Sequence, residues 1–321
     1  MVAYDKMKKV ILKCLILIVP LAVVILFFEY NLRTMDNSYK IKTNNLETKL
    51  RNIEVINIGS SHANNAIVPD IIWPGKSYNL ANSAQDFYYD FKLLEKYVDK
   101  MPNLKLVIIP VSYHSFEYRI SNGFEPWRAY YYSVYCGINS DSLLIRSDIR
   151  NYSAFALWEP LKAVGYAMEG FKGEPVQLDE YGFMRVPPDS VEVIEKKINI
   201  TTGKARVEEQ HRFMKKDNVV YNEKILDKIM LLLKERQITP VFVTVPTYHT
   251  YYDNLQENKL SEMHKLISGY CSTYKVKYYD YYKDARFNIT DFSNNDHLNM
   301  DGAKKFSKII RKDIIEKLVI N

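Results

Sequence analysis

The sequence predicts an α/β domain whose parallel sheet is covered by helices on both faces, behind one apolar N-terminal helix. Three observations predict it. Short β-rich runs alternate with amphipathic helical stretches in both the first and the last third of the chain. One of these runs, "LKLVIIPV" at 104–111, is apolar almost throughout, as strands buried on both faces are. From Val10 to Phe28, only Lys13 interrupts an apolar stretch.

That first stretch sets the organisation of the chain. A helix of this length spans about 28 Å, close to the hydrocarbon thickness of a bilayer. Lys6, Lys8, Lys9 and Lys13 precede or open it, while Glu29, Arg33 and Asp36 follow. The positive-inside rule then keeps the N-terminus in the cytoplasm and places everything beyond about residue 30 outside. "LFFEYNLR" offers no small-x-small cleavage site, which favours an uncleaved signal anchor over a cleaved signal peptide. Residues 1–30 are therefore read as cytoplasmic stub and anchor. The polar run "RTMDNSYKIKTNNLETKLRN" makes 31–52 a stalk, and 53–321 the extracytoplasmic domain.

Within that domain, "IEVIN" opens a strand at 53–58, and "SYNLA" at 77–81 a second, shorter one. A helix is expected over 84–101, then the buried strand at 104–111. Helices at about 219–236, 257–272 and 300–319 alternate with strands at 240–245 and 276–281. Residues 112–218 are less regular and rich in tyrosine, and read as an insertion on the sheet core.

Composition narrows the function classes. Hydrophobic residues make up 47% and 26 tyrosines stand against 11 glycines, which fits a packed globule. The net charge of +6 is spread along the chain, so nucleic acid is not expected as a partner. Cys14 lies in the apolar span; Cys136 and Cys271 are either bridged or free thiols. His62, Asp296 and His297 lack metal-ligand spacing, and neither a metal nor another cofactor is expected.

Two short segments point to chemistry. "GSSH", 59–62, follows the first strand, where open α/β sheets place their reactive groups. A serine there needs a general base, and an adjacent histidine rarely reaches it. "DFSNNDHLNMDGAKKF", 291–306, offers His297 in the loop before the last helix, which returns to the same sheet edge.

Taken in order, the Gly59-x-Ser61 turn, the "YNLANSAQ" block at 78–85 and the "DHLNMDGA" block at 296–303 resemble an SGNH/GDSL hydrolase. The nearest likeness is to its membrane-anchored branch, which includes the D-alanine transfer protein of teichoic acids and the AlgJ/AlgX-type alginate O-acetyltransferases. The resemblance covers 53–111 and 239–318, with the insertion contributing nothing. It implies a three-layer, flavodoxin-like sheet, with Ser61 as nucleophile, Ser60 in the place often held by aspartate, and His297 as general base. The backbone N–H groups of Ser61 and of Ala81 or Asn82 would stabilise the oxyanion.

There are two departures. "PVSYHSFEY", 110–118, stands where the family has Gly-x-Asn-Asp, leaving Ser112 or Tyr113 as substitute donors. Asn294 occupies the usual aspartate position, which leaves a dyad, Asp296 or Asp291 as the alternatives. In "VPTYHTYYDN", Tyr248, His249 and Tyr252 are candidates for sugar contact or for surface packing.

The function implied is serine-dependent O-acyl transfer, with acetyl the expected group, to a cell-surface polysaccharide or envelope glycopolymer through an acyl-enzyme. A multipass membrane O-acyltransferase would be the acyl-donor partner. An esterase on the same polymers and an inactive scaffold or binding subunit are the alternatives.

Overall fold

The computed structural model describes residues 2–173 and 176–318. Met1 and residues 319–321, the ends of the first and last expected segments, lie outside the described residues. The chain divides into two compact units, one of Met1–Asn37 with Trp127–Val176, the other of Ser38–Pro126 with Gln177–Asn321.

The second unit is built on five parallel strands in the order β2-β1-β3-β4-β5. They are β1 (Val55–Asn57), β2 (Ser77–Asn79), β3 (Leu106–Pro110), β4 (Thr239–Val243) and β5 (Lys277–Tyr279). This is the flavodoxin-like order, and its switch point lies where β1 parts into β2 on one side and β3 on the other. Side chains alternate across the sheet, as a pleated strand requires. Val55, Leu106, Ile108, Val241 and Val243 pack with Phe306 and Ile310 of the helix Met300–Ile310 and with Ile314 of the wider turn Arg311–Ile315 that continues it. On the other face Phe242 meets Tyr270 of the helix Glu257–Tyr274. The helices Phe87–Tyr97 and Asp217–Glu235 pack against each other.

The strands are shorter than their apolar runs. The first shows why: Ile58 still donates its N–H to Ile108 O at 3.2 Å, but Gly59 then turns away with φ +111°. A side chain is disfavoured there by that φ.

Two expectations about organisation change. The polar run after the span is not a free stalk, since α2 (Ser38–Glu47), which follows α1 (Val2–Thr34), buries Tyr39, Lys42, Thr43 and Leu46 within the second unit. The expected insertion at 112–218 is likewise divided. Residues 127–176 join the first unit, while 177–218 return to the second.

In the first unit, α1 contains a stretch, Lys6–Thr34, long and apolar enough to cross a membrane. Its end is built into the fold. Leu32 and Met35 are buried with Ala154 and Ala163, and Phe28, Phe155 and Phe171 pack around them. Glu29 accepts hydrogen bonds from Ala154 N and Phe155 N, both at 3.0 Å, and from Ser153 Oγ at 2.8 Å. It thereby satisfies the open N–H groups of the helix Ala154–Leu157. Cys14, Cys136 and Cys271 are all free thiols, so the optional disulfide is not formed.

Candidate active site

The turn after β1 is fixed from below. Gly59 N donates to Asp90 Oδ1 at 2.8 Å, and Gln85 Nε2 reaches the same oxygen at 2.6 Å. Burial pushes the Asp90 carboxyl up to about 7. Ser60 then occupies the position before α3 (Ser61–Ala66), its carbonyl accepting Asn64 N at 3.0 Å, and Ser61 stands at the first position of the helix.

Ser61 Oγ lies 2.8 Å from His297 Nε2. The two residues come from opposite ends of the chain and meet at the carboxyl edge of the sheet, as the sequence predicts. The far nitrogen, His297 Nδ1, is 3.0 Å from Asn294 Oδ1 and 3.1 Å from Asp296 Oδ1. Asn294 Oδ1 also accepts the backbone N–H groups of Asp296 (3.1 Å) and His297 (2.9 Å). This bends the loop so tightly that adjacent residues 296 and 297 turn to the same side, against the tendency of extended neighbours to point apart.

Asp296 is wholly buried, and its outer oxygen is crowded with donors. Arg206 Nε lies 2.9 Å from Oδ2, Gln210 Nε2 3.0 Å and His62 Nε2 3.2 Å. Burial alone would raise the Asp296 carboxyl, but the charge interactions with His297 and then with Arg206 hold it well below the usual carboxylate range. Burial drives His62 the other way, toward its neutral form. Neutral His62 satisfies both contacts in one tautomer, donating from Nε2 to Asp296 and accepting at Nδ1 from Ser112 Oγ, 2.9 Å away. Hydrogen bonds thus join Ser61 to His297 and Asp296 to His62 and Ser112, while His297 Nδ1 hydrogen-bonds Asn294 and meets Asp296 Oδ1 as a close charge contact without hydrogen-bond alignment.

Arg206 and Gln210 are not among the residues the sequence singles out. They project from the helix Ile200–His211, inside the stretch that takes no part in the sequence resemblance. Tyr251 holds Gln210 from the other side through its hydroxyl.

A small cavity of about 40 Å³ opens beside Ser61, lined by Ala84, His114, Tyr118, Arg206 and Gln210, with Phe124 and Phe213 at its edge. Ala84 adopts a left-handed conformation, φ 55°, within the "YNLANSAQ" block. Its N–H and that of Ser61 have no acceptor among the described residues. His114 sits in the segment that follows β3. Burial, aided by His62 and Arg206, lowers it to about 3, so the ring is neutral. Its Nδ1 is buried without a hydrogen-bond partner.

Several expected site residues are occupied elsewhere. Ala81 N donates to Asn79 Oδ1 at 3.0 Å and Asn82 N to Gly59 O at 3.1 Å, so neither N–H is available to an oxyanion. Ser112 N donates to Ser115 Oγ at 2.8 Å. Tyr113 OH pairs with His211 Nε2 at 2.9 Å. Tyr248 packs on Phe292, and His249 lies beside Asp253; neither lines the Ser61 cavity. Asp291 is turned to Lys305, 2.8 Å away, and to Asn288 N at 2.9 Å. Beneath the 79–82 loop, Lys42 Nζ donates to Asn64 Oδ1 at 2.6 Å and to Ala81 O, and burial lowers this amine to about 7.

No protein-family model matches the chain, and no curated protein matches it. Solved structures do. A protein described as an acylhydrolase, from Bacteroides fragilis NCTC 9343, is 11% identical over 87% of this chain and 96% of its own, with a TM-score of 0.42. A GDSL-like lipase from Bacteroides thetaiotaomicron VPI-5482 is 12% identical over 88% and 99%, with a TM-score of 0.40. A protein described as a platelet activating factor, from Streptococcus pneumonia, is 8% identical over 92% and 97%, also at 0.40. In this chain the serine follows β1 and the histidine precedes the helix Met300–Ile310, both at the carboxyl edge of a five-stranded parallel sheet of flavodoxin-like order.

His62, Asp296 and His297 bring their ligating atoms within 4.8 Å of one another. Asp296 Oδ2 already faces the Arg206 guanidinium, a cation fixed beside these donors.

Proposed function

We propose that this chain is a membrane-anchored serine O-acyltransferase that moves an acyl group, acetyl in the simplest case, onto a cell-surface polysaccharide or envelope glycopolymer. The observation that supports it most directly is the 2.8 Å contact between Ser61 Oγ and His297 Nε2, backed by a buried, cation-held Asp296. Ser61 Oγ attacks the acyl carbonyl while His297 takes its proton. The oxyanion is met by the N–H groups of Ser61 and Ala84 and by the neutral ring of His114. Collapse expels the donor's leaving group, which receives the proton from His297. A sugar hydroxyl then gives its proton to His297 and takes the acyl group, and the departing Ser61 Oγ receives that proton from His297, which restores the starting state. Asp296 steadies the imidazolium at both proton transfers.

The anchor reading is supported by the use made of the end of α1. Cleavage near residue 28 would leave the chain starting beside Glu29 and Leu32, both of which are structural parts of the first unit. By the sequence resemblance, the acyl donor arrives through a multipass membrane O-acyltransferase partner.

The test uses the full chain in detergent. A serine-directed fluorophosphonate should label it once, at Ser61, and an activated acetyl ester with an acceptor oligosaccharide should yield acetylated sugar. Free acetate with no acetylated sugar would make it an esterase. Absence of labelling would leave only a scaffold role.

A further inference from the structure

Outside the span, every large apolar side chain more than three-quarters exposed among the described residues falls within 143–168. These are Leu143 (76%), Leu144 (86%), Leu161 (89%) and Met168 (85%). Leu161, Val164 and Met168 share one face of the helix Pro160–Met168, whose only charge is Lys162, while Ala163 is its buried residue. An exposed apolar group of this kind marks a surface that something covers.

What covers it is indicated by depth. The uninterrupted apolar run of α1 ends at Phe28, and Glu29 is the first charge beyond it. The segment is seated on that boundary. Phe171, three residues after Met168, lies 5.8 Å from Phe27 and 5.9 Å from Phe28, ring to ring, and Phe155 lies 5.4 Å from Phe28. Residues flanking the exposed face therefore touch the last part of the helix expected in hydrocarbon. An aromatic group borders the same place. Tyr131 contacts Trp127, Tyr135 and Trp158, and Trp158 Nε1 donates to Tyr135 OH at 2.7 Å. Clustered tryptophan and tyrosine with satisfied polar tips is the composition of the membrane–water interface.

We infer that residues 127–173 form a collar lying in the outer interface of the bilayer, with Leu144, Leu161 and Met168 inserted among the lipids beside the anchor. This rests on reading α1 as a retained span. The partner is the lipid itself, and the attraction is the apolar area removed from water by an amphipathic face.

The experiment uses full-length protein in liposomes, in a Cys14→Ser, Cys136→Ala, Cys271→Ser background. A nitroxide is attached at Leu144→Cys, Leu161→Cys or Met168→Cys, with Val24→Cys in the span as lipid reference. Collisional access to oxygen relative to a water-soluble nickel chelate should exceed that of a free aqueous nitroxide several-fold at all three collar positions. A ratio equal to the aqueous standard overturns the proposal. So does low access to both reagents, which would mean a protein cover such as a second copy. If Val24 itself reads as water, it is the anchor reading that has failed; if Val24 reads as lipid and the collar does not, the collar alone is wrong.

Discussion

Arg206 Nε stands 2.9 Å from Asp296 Oδ2, so the carboxylate behind His297 is held by a guanidinium from a helix almost ninety residues earlier in the chain. Replacing Arg206 by Gln should lower turnover and cost about 1–3 kcal/mol of stability near neutral pH. A carboxyl depressed by folding adds stability above its unfolded pKa, and that stability is lost as pH falls through the folded value. The urea-midpoint difference between wild type and variant should therefore shrink below about pH 4.

Ser61→Ala should abolish phosphonate labelling and turnover while leaving the melting curve near wild type, because only one part-exposed hydroxyl is removed. Ser60→Ala should retain most activity. Intact-mass spectrometry of the two labelled variants checks this, and equal loss in both would place the nucleophile wrongly.

Asp296→Asn should lower kcat by up to about 10⁴, the effect of the same exchange in a serine-protease triad. Asp291→Asn should change it little, since that side chain faces Lys305. Asn294→Asp should be tolerated or raise activity. Steady-state kinetics on the three variants decides; a dead Asp291→Asn beside an unchanged Asp296→Asn would reverse the assignment.

His114→Ala should reduce kcat by about 10²–10³ if the ring meets the oxyanion, as loss of one such donor does elsewhere. His114→Asn, which restores an amide donor, should recover much of it. The KM should move less than kcat in both, measured with the same acetyl ester.

Asp90, pushed up to about 7 by burial, binds its proton more tightly folded than unfolded. Its penalty is absent below the unfolded pKa near 4 and is complete above about 7. Asp90→Asn keeps an acceptor for Gly59 N and cannot ionise. Urea titrations should find it more stable than wild type at pH 8, with the gap closing toward pH 4.

Much of this architecture was legible in the sequence, because parallel strands announce themselves as β-rich runs between amphipathic helices, and Ser61 and His297 stand in blocks of recognisable spacing. The helix Ile200–His211 was not, since its buried positions, Gly203, Val207 and Gln210, include a single large apolar side chain. Its signal lay in Gly203, Arg206 and Gln210 on one face, the glycine allowing Thr250 O to approach where a Cβ would sit at 1.9 Å. The oxyanion donors were misplaced because Ala81 and Asn82 find their acceptors at Asn79 and Gly59, contacts that spacing does not reveal. The seat of 127–173 on α1 joins residues more than a hundred apart, and no local pattern encodes such a meeting.

Asn294 has a consequence for how this site adapts to its surroundings. One amide oxygen shapes the histidine loop by taking three N–H groups, while a separate residue, Asp296, supplies the charge. An aspartate doing both jobs would tie the loop's shape to its own proton. Here the scaffold is neutral at every pH, and acidity acts on the charge and leaves the shape alone.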